Sequence, residues 1–463
     1  MPFLPVALWT DRLIWLLVVA VALFAWYCSR RPHLAAPWAR VLRSRAAAAS
    51  AVFLAAYLLV GLLDSFHYRP RLPVRAADAP QAYSVEVRSV LDLALAPLRN
   101  RVEKTYSAPL ATRLYQKEQV ELPGGGSARE YPRLRHGGAH LRDEGEWAAD
   151  VARRALLGLG FGAAVLLAAA IGARPLRRRY PGVPWGAALC ALGALLALAG
   201  PLAALAAGYH VLGTDRVGTD VLYQALKSIR TSLVIGTLTT LILLPVGIGA
   251  GIAAGYFKGR VDDAIQYVYT TLNSIPGVLL IAASVLMVQV YVDTHPALFP
   301  TAAERADFRL LALCAILGAI GWTGLARLLR GETLKLSELE YIQAAHAFGV
   351  SHARILGRHI LPNVAHIVII SLVLDFSGLV LAEAVLSYIG VGVDPSTTSF
   401  GTMINAARLE MAREPMVWWS LAAAFAFMFV LVLAANLFAD AVRDGFDPRV
   451  RVGGAPAAPA GAA

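Results

Sequence analysis

Charge is what this chain has least of. Of its 463 residues, 16% are Asp, Glu, Lys or Arg and 57% are hydrophobic, against about 25% and 45–50% in ordinary soluble domains. A soluble surface on a chain this long needs more charge, which excludes about three soluble domains of ~150 residues each. The same arithmetic excludes disorder for the chain as a whole. Cysteine is scarce. Cys28, Cys190 and Cys314 are odd in number, dispersed in or beside apolar runs and without ligand spacing, so neither a disulfide framework nor a zinc site is expected. There is no Gly-Lys-Ser/Thr phosphate loop, which excludes a phosphate-loop ATPase. No acid pair, His/Cys cluster or Ser/His/Asp set falls in a soluble stretch, and no catalytic site or metal site is expected. The alternation of a membrane β-barrel is missing. So is a basic soluble face interleaved with aromatics, which leaves no nucleic-acid footprint.

What is present is long apolar runs. A run of about 18 or more residues can cross a hydrocarbon core ~30 Å thick as a helix. Nine occur, at roughly 13–28, 46–63, 155–173, 186–207, 231–255, 275–293, 308–329, 364–389 and 417–439. They are apolar all round, and in lipid only a helix or a closed barrel satisfies its own backbone. The expected fold is therefore an all-α polytopic membrane protein. The first run shares its length with a signal-peptide core, but bulky Trp26, Tyr27 and Arg30 stand where small cleavage-site residues belong, which favours a retained helix. Gly247, Gly249, Gly251 and Gly255, with Gly158 and Gly162, give the spacing for close helix packing in lipid. Pro201, Pro245 and Pro276 are expected to kink or end their helices.

Basic loops orient the spans. Residues 29–45 hold Arg30, Arg31, Arg40, Arg43 and Arg45 without an acid, and 174–185 hold Arg174, Arg177, Arg178 and Arg179. Arg327, Arg330, Lys335, Arg354 and Arg358 flank or enter the loop 330–363, and Arg443, Arg449 and Arg451 mark the C-terminus. All of these read as cytoplasmic, so nine spans put the N-terminus and the block 65–154 outside. The net charge of +11 is a statement about topology. In the block, Val87, Leu91, Leu95 and Leu98, then Leu110, Leu114 and Tyr115, suggest one or two amphipathic helices within 84–121. The run Leu122 to Ser127, with three glycines, breaks them. The block is poor in apolar residues for an independent core and reads as a spacer or a docking surface.

The informative loop is 330–363. It carries Glu340-Tyr341-Ile342-Gln343-Ala344-Ala345-His346-Ala347-Phe348-Gly349, then His359-Ile360-Leu361-Pro362-Asn363. The pattern predicts a helix, a glycine turn, and a second amphipathic helix ended before the proline. Ala344, Ala345 and Phe348 share one face, low and apolar, that another protein could approach. A rigid lever for a partner's cleft and an ordinary connection fit this spacing equally.

The loop resembles the signature of binding-protein-dependent ABC importer permeases: Glu-Ala-Ala, three residues, Gly, nine residues, and a segment ending in Leu-Pro. Gln343-Ala344-Ala345, Gly349 and Leu361-Pro362 match at the right spacing, and the ending from His359 is similar to the dipeptide, oligopeptide and nickel branch. Leu212-Gly213-Thr214-Asp215-Arg216-Val217-Gly218-Thr219-Asp220 with Arg230-Thr231-Ser232-Leu233, Ala382 to Gly392, and the closing Phe438-Ala439-Asp440 with Arg443 to Arg449 agree with the second permease of that branch. Gln343 replaces the usual Glu, and Thr219 the usual Arg.

The resemblance covers roughly 186–451 and implies a transmembrane domain made of the last six spans. Before it lie two extra helices in 1–64, the external block 65–154, and a third extra helix with a basic loop in 155–185. After it comes a disordered Gly/Ala/Pro tail, 452–463. The resemblance implies a multi-pass bacterial inner-membrane permease subunit for short peptides or related solutes such as nickel. Its partners would be a second permease, two cytoplasmic ATPase subunits that use ATP and Mg, an extracytoplasmic binding protein and the membrane lipid. The chain itself would bind no cofactor. Gln343, Ala344, Ala345, Phe348, Gly349, His359, Leu361 and Pro362 would couple to the ATPases.

Asp215, Asp220, Arg230, Asp375 and Glu383 are the candidate translocation or gating residues. Asp375 and Glu383 lie inside the eighth span, where a carboxylate is costly and functional by default. Glu383 favours a structural hydrogen bond. Asp375 suits either a peptide's amino terminus or a buried polar anchor. Asp215 and Asp220 suit a gate, a docking rim or the cap of a short interfacial helix. A proton-coupled secondary transporter using Asp375 and Glu383 as its relay is the rival reading.

Overall fold

The computed structural model describes residues 3–72, 83–121 and 127–446. The glycine-rich run 122–126, the closing Asp447–Arg449 and the tail 452–463 lie outside the described residues. The described residues contain nine helices long and apolar enough to cross a membrane, and the protein is an all-α polytopic membrane protein. In chain order come α1 (Trp9–Ser29), the short α2 (Pro32–Val41) and α3 (Arg45–Asp64). After α3 the chain enters the block, with α4 (Val90–Ala94) and α5 (Ala96–Arg99). It leaves through α6 (Trp147–Gly172), followed by α7 (Arg174–Arg179) and α8 (Trp185–Ala206). Then come α9 (Val221–Phe257), α10 (Gly259–Ser274), α11 (Gly277–Thr294), α12 (Ala302–Ser337), α13 (Glu340–Ala347) and α14 (His352–Ile355). The last are α15 (Leu361–Tyr388), α16 (Phe400–Glu410) and α17 (Trp419–Phe446).

Several helices run past their apolar cores, because polar caps hold them beyond the hydrocarbon. Asp220 accepts from the N–H groups of Leu222 and Tyr223 at the start of α9, and a Thr301–Glu304 capping box opens α12. Each satisfies backbone donors that the first turn leaves without partners. Pro201 and Pro245 stay inside α8 and α9, whereas Pro276 separates α10 from α11.

Small residues set the closest helix crossings. A Cβ at Gly158 would lie 2.4 Å from the Gly200 carbonyl oxygen, so α6 and α8 meet backbone to backbone. Gly251 and Gly255 of α9 meet the Ala326 and Arg330 backbone of α12 in the same way and Gly247 receives the Leu325 side chain, while Gly249 faces open space. The helix α3 is not an appendage: it packs against α8, α9 and α17 at once. Tyr57 on α3 is buried among Val221, Ile229 and Met428, and its hydroxyl donates to the Phe427 carbonyl at 2.8 Å.

The block 65–154 differs from the expected amphipathic helices. Only α4 and α5 form, separated at Leu95; the rest is turns and small antiparallel sheets. One sheet orders β1 (Phe3–Val6), β2 (His67–Pro70) and β3 (Arg88–Ser89), and a hairpin joins β4 (Glu118–Glu121) to β5 (Ser127–Glu130). Pro97 and Pro109 interrupt the helical register. The apolar residues meant for a helix face are spent on the membrane unit, with Leu98 buried beside Leu205, Tyr209 and Leu222.

The block grips the loop 208–220 and the first three turns of α9. Gly218, at φ +77°, lets the Glu103 backbone approach so closely that a Cβ would overlap the Glu103 carbonyl, and the Glu103 N–H donates to the Gly218 carbonyl. Asp220, Tyr223, Lys227 and Arg230 fall at helical spacing along one side of α9, where residues three and four apart are neighbours. Each is joined to the preceding segment. Asp220 meets His210 at 2.8 Å, and His210 reaches Glu103. Tyr223 donates to Asp92 at 2.7 Å. Lys227 pairs with Asp64 at 2.6 Å and Asp92 at 3.2 Å. Arg230 donates to Asp11 at 2.6 Å and Thr10 at 2.9 Å, with His67 on the other oxygen of Asp11 and Asp307 of α12 on Thr10.

Candidate functional site

At the far end of α9 from the block lies the loop that joins α12 to α15. The helix α13 is short, and its anchor is Ile342, fully buried with Leu329 of α12 and Ile355, Ile360 and Val364 beyond the turn. Burial of one such side chain is worth roughly 1.5–3 kcal/mol, so three isoleucines fix the loop to the bundle without help from α13's own length. The helix closes in a Schellman arrangement: Val350 N–H to Ala345 carbonyl and Gly349 N–H to His346 carbonyl. Gly349 takes φ +72°, the left-handed conformation this closure requires. Two histidines that the sequence reading did not single out flank the turn. His346 Nε2 and His352 Nδ1 each lie 2.9 Å from the hydroxyl of Tyr256, at the end of α9. A second tie, Lys258 to Glu338, joins the end of α9 to the end of α12, just before α13.

The exposed face departs from expectation in one residue. Ala345 is half-buried against the core, so Tyr341, Ala344 and Phe348 make the outward stripe, and Phe348 is 87% exposed. Gln343 has a defined task here, as its amide N–H donates to the Glu338 carbonyl at the end of α12, 3.2 Å away. A carboxylate, which only accepts, could not make that bond.

The second helix does not stop before Pro362. It runs from His352 to Tyr388 as one rod, with Leu356–Ile360 in π form. The proline lies inside this rod, at the start of α15, and the wider π turn that precedes it accommodates its ring and its missing N–H. Asn363 donates to the His359 carbonyl at 2.6 Å. His359 and Leu361 therefore begin the rod that crosses the membrane.

The other candidates are scattered. Asp220 caps α9 itself and is fully buried. Asp215 closes its own turn, accepting from Val217 and Thr219 N–H and from the Gln224 amide; burial pushes its carboxyl above the usual range despite these bonds. Arg230 belongs to the Asp11 cluster. Glu383 is fully buried and accepts from Ser387 at 2.7 Å and Ser399 at 2.8 Å, joining α15 to the start of α16. Asp375 stands apart, half-buried and without a hydrogen bond or ion pair among the described residues. Glu103 and His210, which sequence reading missed, form the tightest polar centre of the block. Burial would raise the Glu103 carboxyl, but His210 and the N–H groups of Arg135, His136 and Gly137 hold it down to about 2. Burial would lower His210, but Asp220 and Glu103 raise it to about 9.

Comparison with known proteins decides what carries this loop. Residues 247–452 match the family described as binding-protein-dependent transport system inner membrane component. Over 242 residues the chain is 33% identical to the oligopeptide transport system permease protein OppC of Mycobacterium tuberculosis, covering 52% of this chain and 77% of that relative. The chain belongs to this permease family. It is a permease subunit of a binding-protein-dependent ABC importer and a multi-pass membrane protein. The glutathione transport system permease protein GsiD of Pectobacterium atrosepticum is 32% identical over 244 residues, 52% of this chain and 73% of that one. The dipeptide transport system permease protein DppC of Lactococcus lactis is 30% identical over 240 residues, 52% and 64%. The family match begins inside α9, so α1 to α8 precede it.

Proposed function

We propose that this permease subunit pairs with a second permease to form a pathway for short peptides, and that the loop 340–363 seats in cytoplasmic ATPase subunits that drive it. The observation that carries the reading is Phe348, 87% exposed on a loop that is otherwise pinned. An aromatic ring held rigidly in water is a poor surface and a good anchor, since filling a partner's cleft with it returns about 2–3 kcal/mol. The mechanical path supports the same reading. A push on α13 reaches α9 and α12 through Ile342 and Tyr256, and reaches α15 directly, because Gly349 is the single turn between α13 and the long rod. Packed bundles then move as rigid bodies between two arrangements. The peptide class rests on the relatives, whose names carry oligopeptide, dipeptide and glutathione transport.

The basic ends near Arg354 and Arg358 argue that the loop faces the cytoplasm, which leaves the block 65–154 outside, on the side from which a binding protein would deliver cargo. ATP and Mg would be used by the partner subunits. The described residues between Thr10 and Glu103 are read as a fixed part of the outer half of the bundle, held by the residues along α9.

The test is co-purification in mild detergent followed by transport in proteoliposomes. The expected result is recovery of a second permease and ATPases, with uptake that needs ATP and ignores an uncoupler. Phe348→Ser should lower uptake at least tenfold while the protein still folds. Recovery of the chain alone, or uptake abolished by the uncoupler, would overturn the reading.

A further inference from the structure

We propose that Asp375 holds the cationic group of the cargo, the protonated amino terminus of a peptide, at mid-depth in the membrane; this deepens the peptide-import reading and rests on it. Asp375 lies fourteen residues after Leu361 and thirteen before Tyr388 in α15, about 20 Å from either end at 1.5 Å per residue. No described cation or donor reaches it. The other inward carboxylates of the spans behave differently. Asp11 has Arg230 and His67, Asp64 has Lys227, Asp150 has Arg153 and Arg154, and Glu383 has two serine hydroxyls. In lipid a carboxylate is tolerated where it faces a protein interior or a water-filled cavity. Asp375 is therefore a charge whose partner comes from outside this chain.

The surroundings leave room for one. Gly378, one turn further on, has nothing within 4 Å of where its Cβ would stand. Leu374, Gly378, Leu381, Val385 and Tyr388 repeat at spacings of four and three, and all are exposed. This uncovered stripe runs beside the carboxylate, and an acid at its margin is incompatible with a stripe turned to lipid. A primary ammonium suits the site: it is compact, carries three donors, and can be met by one carboxylate in a space a single glycine leaves open. The rod that carries Asp375 is continuous with the loop segment from His352, so a displacement of the loop moves the carboxylate along the pathway and changes which side it serves.

The experiment uses the complete importer in proteoliposomes, with the binding protein saturated by either a tripeptide with a free amino terminus or its N-acetylated form. Asp375→Asn should lower uptake of the free-amine peptide tenfold or more, the scale of a charge-assisted hydrogen bond, and leave the acetylated peptide unchanged. Asp375→Glu should restore most of the loss. Equal effects of Asp375→Asn on both peptides, or none on either, would overturn the proposal. Loss of the second permease from the purified Asp375→Asn complex would overturn it as well, by assigning the carboxylate to a subunit interface. A wild-type importer that moves neither peptide refutes the peptide reading first, and this proposal with it.

Discussion

Raising the pH through the range of His210 should loosen the block from the bundle, because that imidazole is charged by the two carboxylates it joins. Its nitrogens face Asp220 at 2.8 Å and Glu103 at 3.4 Å in a site from which water is excluded. The folded-state value is raised to about 9 from an ordinary 6.5. A group raised on folding stabilises fully below its unfolded value, and the contribution is lost as pH climbs to the folded value. At about 1.4 kcal/mol per unit, the interval from 6.5 to 9 corresponds to roughly 3 kcal/mol. Glu103 acts in the opposite direction: held at about 2, it contributes above its ordinary 4.5 and is lost only in acid. Attachment is therefore strongest between about pH 4.5 and 6.5 and weakens between 6.5 and 9. Trypsin cleavage after Arg135, whose N–H is held by Glu103, reports on it once the rate is corrected for the protease's own pH profile. The corrected rate should rise on the order of tenfold to a hundredfold between pH 7 and 9. In His210→Asn the rise should vanish, with cleavage fast throughout. A flat wild-type profile, or a rise that survives in His210→Asn, would refute the reasoning.

Three further outcomes are expected. Arg230→Met should destabilise the purified permease by about 3 kcal/mol, seen as a lower melting temperature, because it leaves the buried Asp11 carboxylate with His67 as its one remaining described ion-pair partner; adding Asp11→Leu should recover much of the loss. Gly349→Ala should cost about 1–2 kcal/mol at the loop, since alanine is strained at φ +72°, and should reduce coupling of ATP hydrolysis to uptake while leaving helix content by circular dichroism unchanged. Gly158→Leu should force α6 from α8, where the Gly200 carbonyl is 2.4 Å from even a Cβ, and should expose the α6–α8 pair to proteolysis.

The spans were legible because lipid imposes one rule on every residue of a run, and residue order alone reveals such runs. The turn at Gly349 was legible for a similar reason, being local. The sequence pattern failed at Pro362, which reads as a stop; the π segment and the Asn363 side chain let the helix absorb it. In 84–121 the helical spacing is realised only in the short α4 and α5, and Leu95, Leu98 and Leu110 pack on α8 and α9. Ile342 looked like one apolar residue among several, because its partners are on α12 and past the turn. The joints along α9 were out of reach altogether: Asp11 and Arg230 stand 219 positions apart, and neither has a local pattern that names the other. Asp220 could be read as a helix cap from its place before an apolar run; its bond to His210 could not.

The place of α3 has a consequence for how the chain is made. Tyr57 is bonded to Phe427, 370 positions later, so α3, the second membrane-spanning helix, shares its packing between α8 and α9 and the much later α17. Until α17 emerges, α3 must remain in the bilayer with part of its surface unmatched, and Asp64 must wait for Lys227 in the meantime. Ribosomal order thus has α3 made before every helix that covers it, with Asp64 paired once α9 is made and Tyr57 only once α17 is.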